Sequence, residues 1–391
     1  MQSDAAGPAI GNTTASGTGS SATSSVTLAS STVQIGSSGG LVFNITFDSS
    51  VNSAPSGFVS AVEYVAQLYA STFVNPITIN LDVGWGEIAG QSLSSGALGE
   101  SETYLDTYTY SQLRSAMAAN ATSIDQIAAV ASLPGSDPTG SNNYSVATAE
   151  EKALGLMGAS SGLDGYVGFG SSYAYTFDPN NQAVSGAYDF IGVAAHEISE
   201  VMGRGSYLGE GLGYTPLDLF RYSSAGTRQL TAGRTAYFSI NGGSTNLNNF
   251  NTSSGGDPGD WASSAGNDAY DAFSNSGVAN SFSATDQREL NVLGYTIAGP
   301  TSAPSAPTAT PTTPTTPTTP TTPSSTPTAS GNFRTPMARS SRGSMSMVRS
   351  PRPWSARMRA RVGPSLEPET LMATASRTFC SRTPTDRRRS G

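Results

Sequence analysis

The stretch YDFIGVAAHEISEVMGRG, residues 188–205, contains the chain's only histidine, His196, and the reading of the whole sequence depends on it. Phe190, Val193, Ala194, Val201 and Met202 supply apolar surface at helical spacing. Asp189 is placed to cap the first turn, and Gly203 can close the last in a left-handed conformation that disfavours residues with a β-carbon. These signals predict a helix over residues 189–203. His196 and Glu200 are four apart, so both side chains leave one face of it, one turn above the other. Glu197 projects about 100 degrees round the axis from His196.

That geometry suits a metal ion taking two ligands from one helix, with a neighbouring carboxylate free to accept a proton from an attacking water and hand it to a leaving amine. The usual zinc-protease signature is H-E-x-x-H, and here Glu200 stands at the second histidine's place. A histidine on an amphipathic helix also has a purely structural reading, as a hydrogen-bonded core residue beside an ordinary glutamate. Apolar flanks, the glycine at 203 and the lack of any other histidine set the metal reading level with the structural one, and the pattern alone leaves both open.

Composition frames the site. Of 391 residues only 12% are charged, 43 are glycine, and the sole cysteine is Cys380. Up to residue 331 there are 7 Lys+Arg against 25 Asp+Glu, a net of −18, whereas the last 60 residues carry 13 Arg against 3 acids, a net of +10. An acidic domain is a poor match for nucleic acid, and without cysteines it has neither disulfides nor thiolate metal sites. Lysine-poor, Ser/Thr/Gly/Asn-rich acidic chains are typical of exported bacterial proteins. No recognisable signal peptide opens the chain, and no apolar run of about 18 residues spans a membrane. Residues 1–40 are expected to lack structure, because Ser, Thr, Gly and Ala bury too little to offset ordering entropy. Residues 299–331 form a Thr/Pro-rich linker.

Between these, residues 41–298 read as one domain. LVFNITFD (41–48) alternates and predicts a strand; Phe58, Val62, Val65, Leu68 and Tyr69 predict a helix; Ile77, Ile79, Leu81 and Val83 predict a second strand. Two helical stretches follow, near 111–122 and 124–132, and then one or two short strands within 162–178. Strands and helices in that order imply an α+β fold.

Several segments in order, VAAHEISEVMGR, YTPLDLFRYSSAG, AYFSINGG, NTSSGGDPGDWASS and FSATDQRELNVLGYTI, resemble a group of predicted secreted bacterial zincin-type metalloproteases. Relatives in that group carry a full H-E-I-G-H helix and a distal His-Trp element, and leishmanolysin-type peptidases likewise take a third ligand from such an element. The resemblance implies a zincin-like domain with a twisted sheet and an active-site helix. It implies a ligand set of His196, Glu200 and Asp260, the last standing before Trp261 where the His-Trp histidine would be, and it implies Glu197 as general base. Both departures exchange imidazole for carboxylate, which makes the site harder: Zn²⁺ is the expected cofactor, with Mn²⁺, Fe²⁺ or Ca²⁺ as competitors. No methionine follows Asp260 to form the methionine-turn of metzincins. Asp218 is the reserve third ligand, although pairing with Arg221 or Arg204 suits it better.

Tyr207, Tyr214 and Tyr222 are candidates to stabilise an oxyanion, but packing is their simpler role. FDPNNQ (177–182) and GDPGDW space aspartates as calcium loops do, yet both also read as turns. The Arg-rich tail, 332–391, reads either as a basic arm or, our preference, as the product of a shifted reading frame. The expected activity is a secreted metal-dependent endopeptidase acting on protein or peptide; the alternative is a non-catalytic exported metal-binding or adhesion module with a degenerate site.

Overall fold

The computed structural model describes residues 31–94 and 96–299, together with the backbone of 354–360. A mixed sheet holds β1 (Ser31–Gly36), β2 (Val42–Phe47), β3 (Thr78–Trp85), β4 (Ala97–Thr103), β5 (Gly165–Phe169), β6 (Phe273–Ser274) and β7 (Trp354–Ala360). Their spatial order is β1-β2-β3-β5-β4-β7-β6. Strand β1 is antiparallel to β2, the β2–β3 and β3–β5 pairs are parallel, and β4 is antiparallel to both its neighbours, β5 and β7. Parallel neighbours need a long crossover, and helix α1 (Phe58–Thr72) supplies the one between β2 and β3. The other α-helices are α2 (Tyr110–Asn120), α3 (Ile124–Ser132), α4 (Thr148–Ala153), α5 (Phe190–Val201) and α6 (Ala284–Val292). The architecture is α+β, as the order of elements predicts.

The alternation read in β2 and β3 is the alternation of their burial. Phe43, Ile45 and Phe47 face the core from β2, Ile79, Leu81 and Val83 from β3, and Phe58, Val62, Val65 and Tyr69 meet them from α1. Helix α5 packs against β4, β5 and α1. Phe58 lies at the junction, with its ring edge-on to Trp85, Phe190 and Phe169 at centroid distances of 5.0, 5.2 and 5.7 Å. Each such side chain contributes roughly 1.5–3 kcal/mol when fully buried, so packing fixes the depth and angle of α5. Helices α2, α3 and α6 each begin with a reciprocal capping box, from Thr109, Ser123 and Ser283.

Several strands lie where the sequence predicts none, and β1, β7 and β4 are the longest of them. Strand β1 falls inside the stretch expected to be unstructured, so the fold begins before residue 41: Val33 and Ile35 pack against the core, and Gln34 donates to Asn44 on β2 at 3.0 Å. Ser and Thr conceal a strand when the partner strand supplies the apolar surface. Strand β7 falls inside the Arg-rich tail, read above as a basic arm or the product of a shifted frame; its backbone pairs with β4 in the register Ala356↔Ser101 and Arg357↔Glu100. Strand β4 is central and was not foreseen at all. The expectations for residues 1–30, the linker beyond residue 299, Cys380 and the remainder of the tail lie outside the described residues. No described helix is long and apolar enough to cross a membrane.

Candidate metal centre

Helix α5 starts as its sequence predicts. One oxygen of Asp189 accepts from the Ile191 amide at 3.0 Å and the other from the Asn280 amide at 2.8 Å, tying the helix start to the segment before α6. Gly192 permits that approach, because a β-carbon there would stand 2.6 Å from Asn280 Cβ. At the far end Gly203 takes φ 109°, closing the helix as expected. Every residue from Phe190 to Val201 is buried.

His196 Nδ1 lies 3.0 Å from the Ala269 carbonyl oxygen, which can only accept, so Nδ1 carries the proton. This turns Nε2 toward Glu200 Oε1 and Asp260 Oδ1, each 3.4 Å away. Such a hydrogen bond from the rear nitrogen is how proteins orient an imidazole toward a metal. Asp260 is brought in by the chain around Trp261. The Trp261 amide donates to Tyr270 O at 2.8 Å, and its indole Nε1 donates to Asp286 Oδ1 on α6 at 2.8 Å. Asp260 O in turn accepts from the Asn251 amide at 2.7 Å. The three residues of the expected ligand set thus converge, with one potential ligand atom from each lying within 4.8 Å of the others.

The donor set fits a metal ion. A tetrahedral site with metal–ligand bonds of ~2.0–2.1 Å has ligand atoms about 3.3–3.4 Å apart, and both separations from Nε2 are 3.4 Å. Neither His196 Nε2 nor Asp260 Oδ2, both buried, has a hydrogen-bond partner, whereas buried polar atoms are normally satisfied.

Glu197, expected as general base, is fully buried and lies against β4, where Gly99 leaves room for it. Ser101, two residues on, donates to Glu200 Oε2 at 2.8 Å. Arg204 fills the remaining side: Nη1 donates to Asp260 Oδ1 at 2.8 Å, Nη2 to Glu200 Oε1 at 3.3 Å, and Nε to Ser199 Oγ at 2.7 Å. Its guanidinium stacks over Tyr270, 4.3 Å from the ring centre. Arg204 therefore serves Glu200 and Asp260 rather than Asp218. The spacing from Glu200 to Arg204 was legible as a same-face pair; the tie to Asp260, 56 residues on, was not.

Charge is concentrated here without solvent. His196, Glu197, Asp260 and Arg204 are completely buried and Glu200 is 2% exposed. Burial and Arg204 pull the His196 pKa down, but Asp260 and Glu200 outweigh them and hold it well above its ordinary value. Burial works to raise the Asp260 pKa, while His196 and Arg204 together bring it below the usual carboxylate range.

Asp218, the reserve ligand, is placed elsewhere. It accepts from Ser206 Oγ at 2.6 Å and from the Thr215 amide at 2.8 Å, closing the turn before residues 217–220. Its pKa is raised by burial despite nearby Arg221. Tyr214 packs against Tyr144 and Tyr222 lies under Arg228, in the packing roles expected. FDPNNQ is a turn, with Asp178 Oδ1 accepting from the Asn180 amide at 2.9 Å. GDPGDW also turns, through the Asp260 amide to Asp257 O. No family model matches the chain, and no curated protein or solved structure is significantly similar to it.

Proposed function

We propose that the domain is a zincin-like, exported metalloendopeptidase, in which His196, Glu200 and Asp260 hold a divalent cation and Glu197 is the general base. The observation that carries this reading is the convergence of three potential ligand atoms, two of them from one helix, with His196 Nε2 and Asp260 Oδ2 left without hydrogen-bond partners. A cation held there would supply Lewis acidity toward a peptide carbonyl and lower the pKa of water. The chain's own groups do the rest. The Ala269 carbonyl fixes the His196 tautomer, Ser101 orients the Glu200 carboxylate, and Glu197 takes a proton from the attacking water and delivers it to the departing amine.

Zinc is the first choice, and the two carboxylates keep manganese, iron and calcium in contention. The acidic, lysine-poor composition supports export and disfavours nucleic acid as a partner.

A second reading has its own support. The centre is sealed from solvent, and Arg204 already pairs with both carboxylates, as in a non-catalytic module whose site is structural. Metal analysis of the purified chain, with casein turnover under zinc, manganese and calcium in turn, separates the two. Stoichiometric metal with turnover that disappears in Glu197→Gln supports the peptidase; stoichiometric metal with no cleavage under any ion supports the module.

A further inference from the structure

We propose that the gap between β4 and β6 is a docking slot for an extended strand, and that the chain's own residues 354–360 occupy it as a removable cover over the metal centre. This inference rests on the metal-site reading above and takes the tail as a basic arm.

The two walls of the slot are the two segments that hold the centre. On β4, Gly99 makes room for Glu197, and Ser101 donates to Glu200 Oε2. On the other side, β6 follows directly on the stretch whose Ala269 carbonyl accepts from His196 and whose Tyr270 lies beneath Arg204. Strand β7 runs between these walls, antiparallel to β4 and parallel to β6. It also packs against α5. Its register sets Met358 across from Gly99 and Ala356 across from Ser101, the two positions of β4 that meet the centre. Among the described residues β6 has no other strand partner. With β7 withdrawn, each wall therefore presents unpaired backbone N–H and C=O groups, which is the template that an extended peptide pairs with.

Charge favours this occupant. The chain up to residue 331 has a net charge of −18 and residues 332–391 a net of +10. The register places Arg357 across from Glu100, opposite signs at paired positions. The arm joins the domain far from the slot in sequence, yet the entropy of closing a loop grows only slowly with its length. A tether also holds its segment at high effective concentration. Withdrawal leaves the core standing, because the aromatic junction at Phe58 is built from α1, β3, β5 and α5 without β7.

The test compares the full chain with two full-length variants. Met358→Pro cannot keep the ladder beside Gly99, and Arg357→Glu sets like charges across from one another. Hydrogen exchange of the amides of residues 97–103 reads docking, and the rate at which a chelator strips Zn²⁺ from the loaded protein reads the covering of the centre. Both variants should melt as the parent does, exchange those amides about tenfold faster or more, and lose Zn²⁺ faster by a similar factor. If Met358→Pro does not fold, Arg357→Glu decides. A synthetic peptide of residues 352–362 should restore slow exchange and slow release to the variants, and a scrambled peptide should not. Equal exchange in parent and variants overturns the slot; faster exchange with unchanged release overturns the cover. If neither parent nor variant holds Zn²⁺, the metal-site reading fails and the cover with it. The amides then still decide the slot: lost protection in the variants upholds it, and equal protection overturns it.

Discussion

Gly99 on β4 and Glu197 on α5 touch across the space of a missing side chain: a β-carbon at residue 99 would stand 2.6 Å from both Cγ and Oε1 of Glu197. Gly99→Ala is therefore expected to push the glutamate or the strand aside, at a cost of about 1–3 kcal/mol for overpacking. Turnover should fall with it. Denaturant unfolding and casein hydrolysis read the two effects, and a variant as stable and as active as the parent would show that the contact is slack.

Glu197→Gln is nearly isosteric and leaves every expected metal ligand in place. It should retain metal and melt as the parent does, yet lose turnover by roughly 10²–10⁴-fold, the contribution of a positioned acid/base group. Cleavage at the parental rate would remove Glu197 from the chemistry.

Asp260 and Asp218 should separate cleanly. Asp260→Ala deletes a proposed ligand and is expected to abolish stoichiometric metal. Asp218→Ala leaves Ser206 and the Thr215 amide without their buried acceptor, which should destabilise the domain by about 1–3 kcal/mol with metal content unchanged. Metal analysis of both variants checks this, and loss of metal from Asp218→Ala alone would reverse the assignment.

The sequence made the start and end of α5 legible because its caps are local: Asp189 and Gly203 act within a turn of themselves. The alternation of β2 and β3 was legible because each buries one face consistently. Strand β4, ALGESET, was not. It is buried on both sides, so it shows no alternation, and its Glu100, Ser101 and Thr103 look like surface until residues such as Glu200, 99 positions on, are folded against them. The same limit hid Arg204's second partner. Ligand types can be read from one helix, whereas the charge that surrounds them is assembled from segments far apart in the chain.

Stability should fall between about pH 4 and pH 7 for a reason outside the centre. Burial, and then the charge of Asp48, pushes Asp82 up to about 6. Burial, with a hydrogen bond and charge from Asp48, pushes Glu87 up to about 7. Both values lie above those of an unfolded chain, ~3.9 and ~4.3. The folded state thus keeps protons that the unfolded state releases, and the stabilisation, complete below about pH 4, is lost as pH rises through the folded values. Asp48 has the opposite sign. Burial works against it, but hydrogen bonds from Glu87 and Ser50 lower its pKa, so its contribution fails only in acid. Glu87→Gln carries the neutral form at every pH and should flatten the decline between pH 5 and 8. Identical slopes in parent and variant would assign the decline to other groups.

Helix α5 has no face in contact with solvent, and that sets a clock as well as a structure. An ion seated against His196 can leave, and a chelator can reach it, only when the elements packed round the helix come apart. Metal release should therefore follow the rate of that opening rather than the strength of the metal–ligand bonds, and the α5 amides should be among the slowest to exchange their hydrogens. Release half-times that shorten in step with faster unfolding, in variants remote from the ligands such as Phe58→Ala, would show that the fold, more than the coordination, decides how long the ion stays.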